Sequence, residues 1–199
     1  MKRLFLLRHT FSILAIFLLT IIGAVPYTAA QSRDYMSEAE IEIVRDAQDI
    51  DQRINVLIKM IDRRFTALGI NSGGEEIKKK DLEKWGEAPT GTQLQLFGDI
   101  RRLIDKAIDD LDVIAERNED TVKQNKTEGE LFPVAVRLLD AASRRYVPLL
   151  NKAAAATTDD RERGQILHTV EACEQIIAAA ATLPPPVEKG KEKSKKAKN

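Results

Sequence analysis

Cys173 is the only cysteine among 199 residues, so no disulfide can form within the chain. Histidine is almost as scarce, with His9 and His168 alone. No Glu-x-x-His pair occurs, and the one related pair, His168 and Glu171, has the reverse order. That excludes the paired inward ligands of a di-metal helical bundle. Cys-x-x-Cys-His is absent, which removes covalent haem attachment. Gly73-Gly74 is not followed by Lys-Ser or Lys-Thr and follows no strand pattern, so there is no phosphate-binding loop. Aromatic residues make up 5% of the chain, and Trp85 is the single tryptophan. Few aromatics with abundant Leu, Ile and Ala suit packed helices better than a β-sandwich.

Net charge is also missing, but only in the sum. Basic and acidic residues number 31 each. Residues 1–30 hold Lys2, Arg3 and Arg8 and no acid, and residues 184–199 hold six Lys against Glu188 and Glu192. Residues 31–183 are left with 22 basic and 29 acidic groups, a net of about −7. An acidic body argues against nucleic acid as a partner, whose footprint is a basic face.

Residues 1–30 read as a signal peptide. Lys2, Arg3 and Arg8 form a positive start, and Phe11 to Val25 is an uninterrupted apolar run closed by Pro26. Thr28-Ala29-Ala30 places small residues before a cut between Ala30 and Gln31. The alternative is a retained anchor, but the run falls short of the roughly 20 residues that span a bilayer. No cysteine follows the run to carry a lipid. The expectation is a periplasmic or secreted mature chain.

What remains is organised around Leu94–Ala115. Phe97, Ile100, Ile104, Ala107, Leu111 and Ile114 step by three and four, the seam of an amphipathic, coiled-coil-like helix. Leu96, Leu103, Ile108 and Ala115 widen that face, so this helix should touch more than one neighbour. Asp99, Arg101, Arg102, Asp105, Lys106, Asp109, Asp110 and Asp112 fill the other side as a polar face. Thr92 is the expected N-cap.

Upstream, Ser37 and Glu40 form a capping box. Ile43, Ala47, Ile50, Ile54, Leu57, Ile61, Phe65 and Leu68 continue the spacing to Gly69, a good stop. The stretch is one long helix, or two if Asp49 or Asp51 caps a fresh start. Asp46, Asp49, Asp51 and Asp62, with Arg45, Arg53, Arg63 and Arg64, read as a solvated face. Residues 69–91 form a long connection in which Glu75–Trp85 has the pattern of a short helix. Trp85 either caps the core or stands exposed as a partner contact, the role in which tryptophan is enriched.

Residues 118–130 are polar and loop-like. The sequon at Asn125 is read as chance. A third helix is expected after Gly129, with Pro133 in its first turn. Ala135, Leu138, Leu139, Ala142, Tyr146 and Leu149 form its buried side, and Pro148 should kink or split it. Thr157 and Asp160 read as a capping box for a last helix with Leu167, Val170, Cys173, Ile177 and Ala180 as its seam. Pro184-Pro185-Pro186 forbids continuation, and the Lys-rich end that follows should be disordered.

The expected architecture is therefore all-α: a signal peptide over 1–30, a four-helix-bundle-like domain over 31–183 and a disordered Pro/Lys-rich tail over 184–199. Cys173 reads as a small apolar core residue. The favoured reading carries no cofactor. Its alternative is a haem or small-ligand carrier, with Met60 and His168 as ligands in the bundle core.

Ser37-Glu38-Ala39-Glu40, Arg45-Asp46-Ala47-Gln48, Glu130-Leu131-Phe132-Pro133 and Glu162-Arg163-Gly164 are scattered over most of the mature chain. In these blocks the sequence resembles uncharacterised, exported, all-helical bacterial proteins. The resemblance implies export and helicity and brings no activity. The functional expectation is a non-enzymatic helical interaction or scaffold protein of the cell envelope. Its partner is a protein, and the Lys-rich tail makes weak contact with an anionic surface.

Overall fold

A computed structural model describes residues 33–121 and 126–184, with the side chains of 117–130 left out. Among the described residues there are five α-helices, one short 3-10 turn and no strand. The helices are α1 (Glu38–Asp46), α2 (Ile50–Ala67), α3 (Gln93–Thr121), α4 (Lys126–Ala156) and α5 (Asp160–Ala181). The chain divides into Met1–Asp34 and Tyr35–Asn199, and all five helices belong to the second unit. The expected cleavage point, Ala30 and Gln31, and the tail beyond Pro184 lie outside the described residues.

Local chemistry sets most of the boundaries. Ser37 caps α1: its hydroxyl accepts from the Glu40 N–H, and the Glu40 carboxylate accepts from the Ser37 N–H at 3.1 Å. The chain breaks at Ala47 and restarts after Asp49, so the two-helix reading holds. Helix α2 ends in a Schellman motif. The Ile70 N–H reaches the Phe65 carbonyl at 2.8 Å and the Gly69 N–H reaches the Thr66 carbonyl at 2.9 Å. That geometry needs the left-handed conformation, and Gly69 supplies it at φ +74°. Thr92 caps α3 through a second box: the Gln95 N–H donates to Thr92 Oγ1 at 3.2 Å, and the Thr92 N–H to Gln95 Oε1 at 2.9 Å.

Four expectations are corrected. The stretch 118–130 is mostly helical, because α3 runs to Thr121 and α4 starts at Lys126. Its Glu, Lys and Gln residues are good helix formers and need no core to continue a helix already nucleated. Pro148 does not split α4, which runs unbroken through it. Pro148 is exposed, so the carbonyl that loses its donor faces water. The cap of α5 is Asp159, not Thr157: its carboxylate accepts from the Arg161 and Glu162 N–H groups, while Thr157 Oγ1 accepts from the Asp159 N–H. Finally, Glu75–Trp85 is not a helix. Only Lys79–Asp81 forms a 3-10 turn, and Lys78 before it is extended at ψ 140°.

Packing follows the seams. Helix α2 packs on α3 and α4, α5 packs on the same two, α1 leans on α2, and no Cα of α2 comes within 8 Å of one in α5. Four helices thus share one core, centred on Ile54, Leu57, Met60, Ile61, Phe65, Ile100, Leu103, Ile104, Leu139, Tyr146, Leu150 and Ile166. The seam of α5 is shifted from the one expected. Ile166, Thr169, Val170, Cys173 and Ile176 are buried, whereas Leu167 is 49% exposed. On α4, Leu138 is likewise turned out, and Val136 and Ser143 face in. Among the described residues no helix is long and apolar enough to cross a membrane.

Candidate functional site

Buried charge is the first departure from a plain hydrophobic core. Arg64, expected at the surface, lies 3% exposed against Glu40 of α1. Its Nη2 donates to Glu40 Oε2 at 2.6 Å and to the Tyr35 carbonyl at 2.6 Å. Its Nη1 bonds Glu40 Oε1 as well, giving a two-pronged pair. Arg63 reaches the same carboxylate at 2.7 Å. It also donates to the carbonyls of Trp85 at 3.0 Å, Gly86 at 3.3 Å and Glu87, and its guanidinium lies 5.6 Å from the Trp85 ring centre. Burial lowers the pKa of Arg63, the Glu40 charge pulls it back up, and Arg64 lowers it further. Trp85 itself is 7% exposed and belongs to the core cluster. It caps the core and is not an exposed partner contact, because Arg63 folds the connection down over it.

A second polar cluster holds the other end of the same connection. Asp62 is buried and accepts from the Tyr146 hydroxyl at 2.9 Å. Arg145 stands 3.6 Å from that carboxylate and donates to the Ser72 carbonyl at 2.8 Å. Burial first, and then the Asp62 charge and hydrogen bond, push the Tyr146 phenol well above its ordinary pKa. Gly74 passes so close that a Cβ there would lie 2.0 Å from Asp62 Oδ2. Asp62 and the two arginines thus act as clamps on residues 69–91. The charged face expected for α2 is exposed only in part, because the connection covers Asp62 and Arg63 and the start of α1 covers Arg64.

The other candidate ligands are not brought together. Met60 is fully buried on α2, and His168 is exposed on α5 with its Nδ1 3.9 Å from Glu171. His168 faces solvent while Met60 faces the core, so the two share no interior position. Cys173 is fully buried, and burial pushes its thiol up to about 11 against a smaller, opposing influence of the Ser143 hydroxyl. A thiol of that kind is held in its unreactive form. Among the described residues no three His, Cys, Asp or Glu side chains are grouped so as to hold a metal ion.

A surface groove of about 870 Å³ lies between the N-terminal halves of α3 and α5. Arg101, Arg102, Arg161 and His168 line it, with Asp105 as its acid and Gln95 and Gln165 as its amides. Arg101 shares itself between Asp105 at 3.5 Å and Gln165 at 3.3 Å. Arg102 is held more firmly. It donates to Asp99 at 2.9 Å, and its guanidinium sits 5.3 Å from the Tyr35 ring centre. Asp99, expected on the polar face of α3, is only 1% exposed beneath this contact. Two glycines, Gly98 and Gly164, face the groove from opposite helices.

The chain matches no known family. Neither the curated proteins nor the solved structures contain a match to it either. Function must therefore be argued from these residues. Nothing in the sequence marked out the groove, because its arginines sit on two helices about sixty residues apart. The signal within reach was the pair of glycines interrupting otherwise helical runs, which costs helix stability and asks for a reason.

Proposed function

We propose that this is an exported, non-enzymatic helical interaction or scaffold protein of the cell envelope, built as a four-helix bundle of α2 to α5 with α1 laid against α2. One observation carries the reading. Buried charged groups such as Glu40, Asp62 and Arg64 are engaged in holding the chain to itself, whereas Arg101, Asp105 and Arg161 of the α3–α5 groove are offered at the surface. Chemistry directed outward on a rigid helical frame suits recognition. The basic start, apolar run and Thr28-x-Ala30 of residues 1–30 support export. The Lys-rich tail supports a weak, salt-sensitive hold on an anionic surface, at about 1 kcal/mol per Lys less the offset from Glu188 and Glu192.

Cell fractionation with intact-mass measurement tests export. The expected species begins at Gln31 and is found outside the cytoplasm. A cytoplasmic protein retaining Met1 to Ala30 overturns the proposal. Photo-cross-linkers placed at Gln95 and Gln165 should capture an envelope protein that the same probe at Glu174 does not. Equal capture from both faces counts against a recognition surface. Co-sedimentation with anionic liposomes, with and without the residues after Pro186, tests the tail.

A further inference from the structure

Glycine within a helix costs roughly 0.5–1 kcal/mol relative to alanine, so its presence needs a cause. At Gly164 an added Cβ would meet nothing within 4 Å, and at Gly98 only the far end of Arg102 at 4.0 Å. Neither glycine has positive φ. The fold thus has room for alanine at both positions and no conformational use for glycine. Both open onto the same groove, from facing helices. What the two glycines provide there is depth, with helix backbone as floor.

The walls of that groove have a definite charge. Three arginines oppose one aspartate among its lining residues, on a body whose net charge is about −7. Arg161 is exposed, and among the described residues no carboxylate lies within ion-pair distance of it. Arg101 is held only by Asp105 at 3.5 Å and an amide, a weak pair that an incoming carboxylate can replace. The N-terminal halves of two helices meet here, and their dipoles add to the same sign. From Leu94 to Asp105 the groove runs about 16 Å at helical rise, the length of about five residues of extended chain.

We propose, building on the interaction role above, that the α3–α5 groove binds a short extended peptide segment carrying carboxylates at alternate positions, seated over Gly98 and Gly164 and paired with Arg101 and Arg161. Alternate residues of an extended chain lie about 7 Å apart on one side, a spacing that two arginines on facing helices can serve. Arg102, already tied to Asp99 and Tyr35, forms a fixed wall whose charge Asp99 offsets, which leaves Arg101 and Arg161 to carry the pairing. A long polyanion fits less well. Beyond a few residues it meets the acidic body, repelled within a Debye length of about 8 Å. The groove lining also has no Phe, Tyr or Trp ring on which a base could stack.

The test is fluorescence anisotropy with protein purified from its native compartment and a labelled five-residue peptide with glutamates at positions one, three and five. The same peptide with glutamines is the control. Binding should appear for the glutamate peptide only and weaken on raising salt. Arg101→Gln with Arg161→Gln should weaken it about tenfold or more while leaving the helical circular dichroism unchanged. Gly164→Ala should weaken binding while raising Tm by about 2–4 °C, two effects of opposite sign that a structural role would not produce. Equal binding by the double arginine variant would assign the peptide to the Lys-rich tail and overturn the proposal. So would failure of the glutamate peptide to bind, or stronger binding of inorganic polyphosphate than of peptide. Each of these leaves the fractionation and cross-linking results untouched, so failure of this specificity is distinguishable from failure of the broader role.

Discussion

Arg64 and Glu40 face each other as a two-pronged ion pair with side chains 3% and 2% exposed, joining α2 to the first turn of α1. Glu40 at the same time closes the capping box with Ser37. One carboxylate therefore caps a helix, pairs with two arginines and, through Arg63, fixes the connection over Trp85.

Removing one partner of such a pair leaves an uncompensated buried charge. Arg64→Met should cost about 3 kcal/mol, at the low end of the range for buried pairs because Arg63 still touches Glu40. Glu40→Leu combined with Arg64→Met should recover only part of that loss, since neither Glu40 nor Arg64 is then stranded but Arg63 loses its carboxylate and Ser37 its capping partner. Urea titrations of the two single variants and the double variant measure this. A single variant within about 0.5 kcal/mol of wild type would show that the pair is dispensable.

Gly74→Ala should destabilise by about 1–3 kcal/mol, because its Cβ would displace the Asp62 carboxylate from Tyr146. Tyr146→Phe removes the same hydrogen bond from the other side and should cost about 1–2 kcal/mol. Because both act on Asp62, the double variant should lose less than the sum. A fully additive pair in thermal melts would separate the glycine from the Asp62 cluster.

Ile104→Asp should unfold the protein at ordinary temperature. Ile104 is fully buried at the centre of α3, where a carboxylate would find no partner. Asp109→Asn, on the exposed side of the same helix, should shift Tm by less than about 1 °C. Circular dichroism melts of the two variants compare them directly.

Alkaline pH should weaken the fold through Cys173. Its thiol is raised from 9.0 to about 11 in the folded chain, chiefly by burial. The stabilising preference for the neutral thiol is complete below pH 9 and is lost as pH rises from 9 through 11, since the unfolded chain ionises first. The loss amounts to about 2 kcal/mol by pH 11. Cys173→Ala should flatten that part of the stability curve. The Tyr146 phenol, also raised, adds a further decline at higher pH that Tyr146→Phe removes. Denaturant midpoints between pH 8 and 11, compared as slopes, check both.

How much of this was readable in advance depends on how local its cause is. The caps at Ser37 and Thr92 and the stop at Gly69 join groups within five residues of one another, side chain to backbone at the caps and backbone to backbone at the stop, so spacing alone revealed them. The same holds for the wide seam of α3, where Phe97, Ile100, Leu103, Ile104 and Ala107 are buried as read. The polar clusters were illegible for the opposite reason. Glu40 and Arg64, or Asp62 and Tyr146, are dozens of residues apart, and nothing in either helix says that its charged side will be covered.

The sequence by itself determined that this chain makes amphipathic helices and where most of them start, because hydrogen-bond completion at a helix end is settled within one turn of chain. It also set the acidic balance of the body. The tertiary structure alone decided which charges go inside. The connection over residues 69–91 lies across Asp62, and the first turn of α1 with Tyr35 lies across Arg64, so both are buried there, while Leu167 on α5 has no such cover and stays out. It decided the groove as well. Arg101 and Arg161 become neighbours only when α3 and α5 pack side by side, and periodicity along one helix carries no information about which second helix will lie beside it.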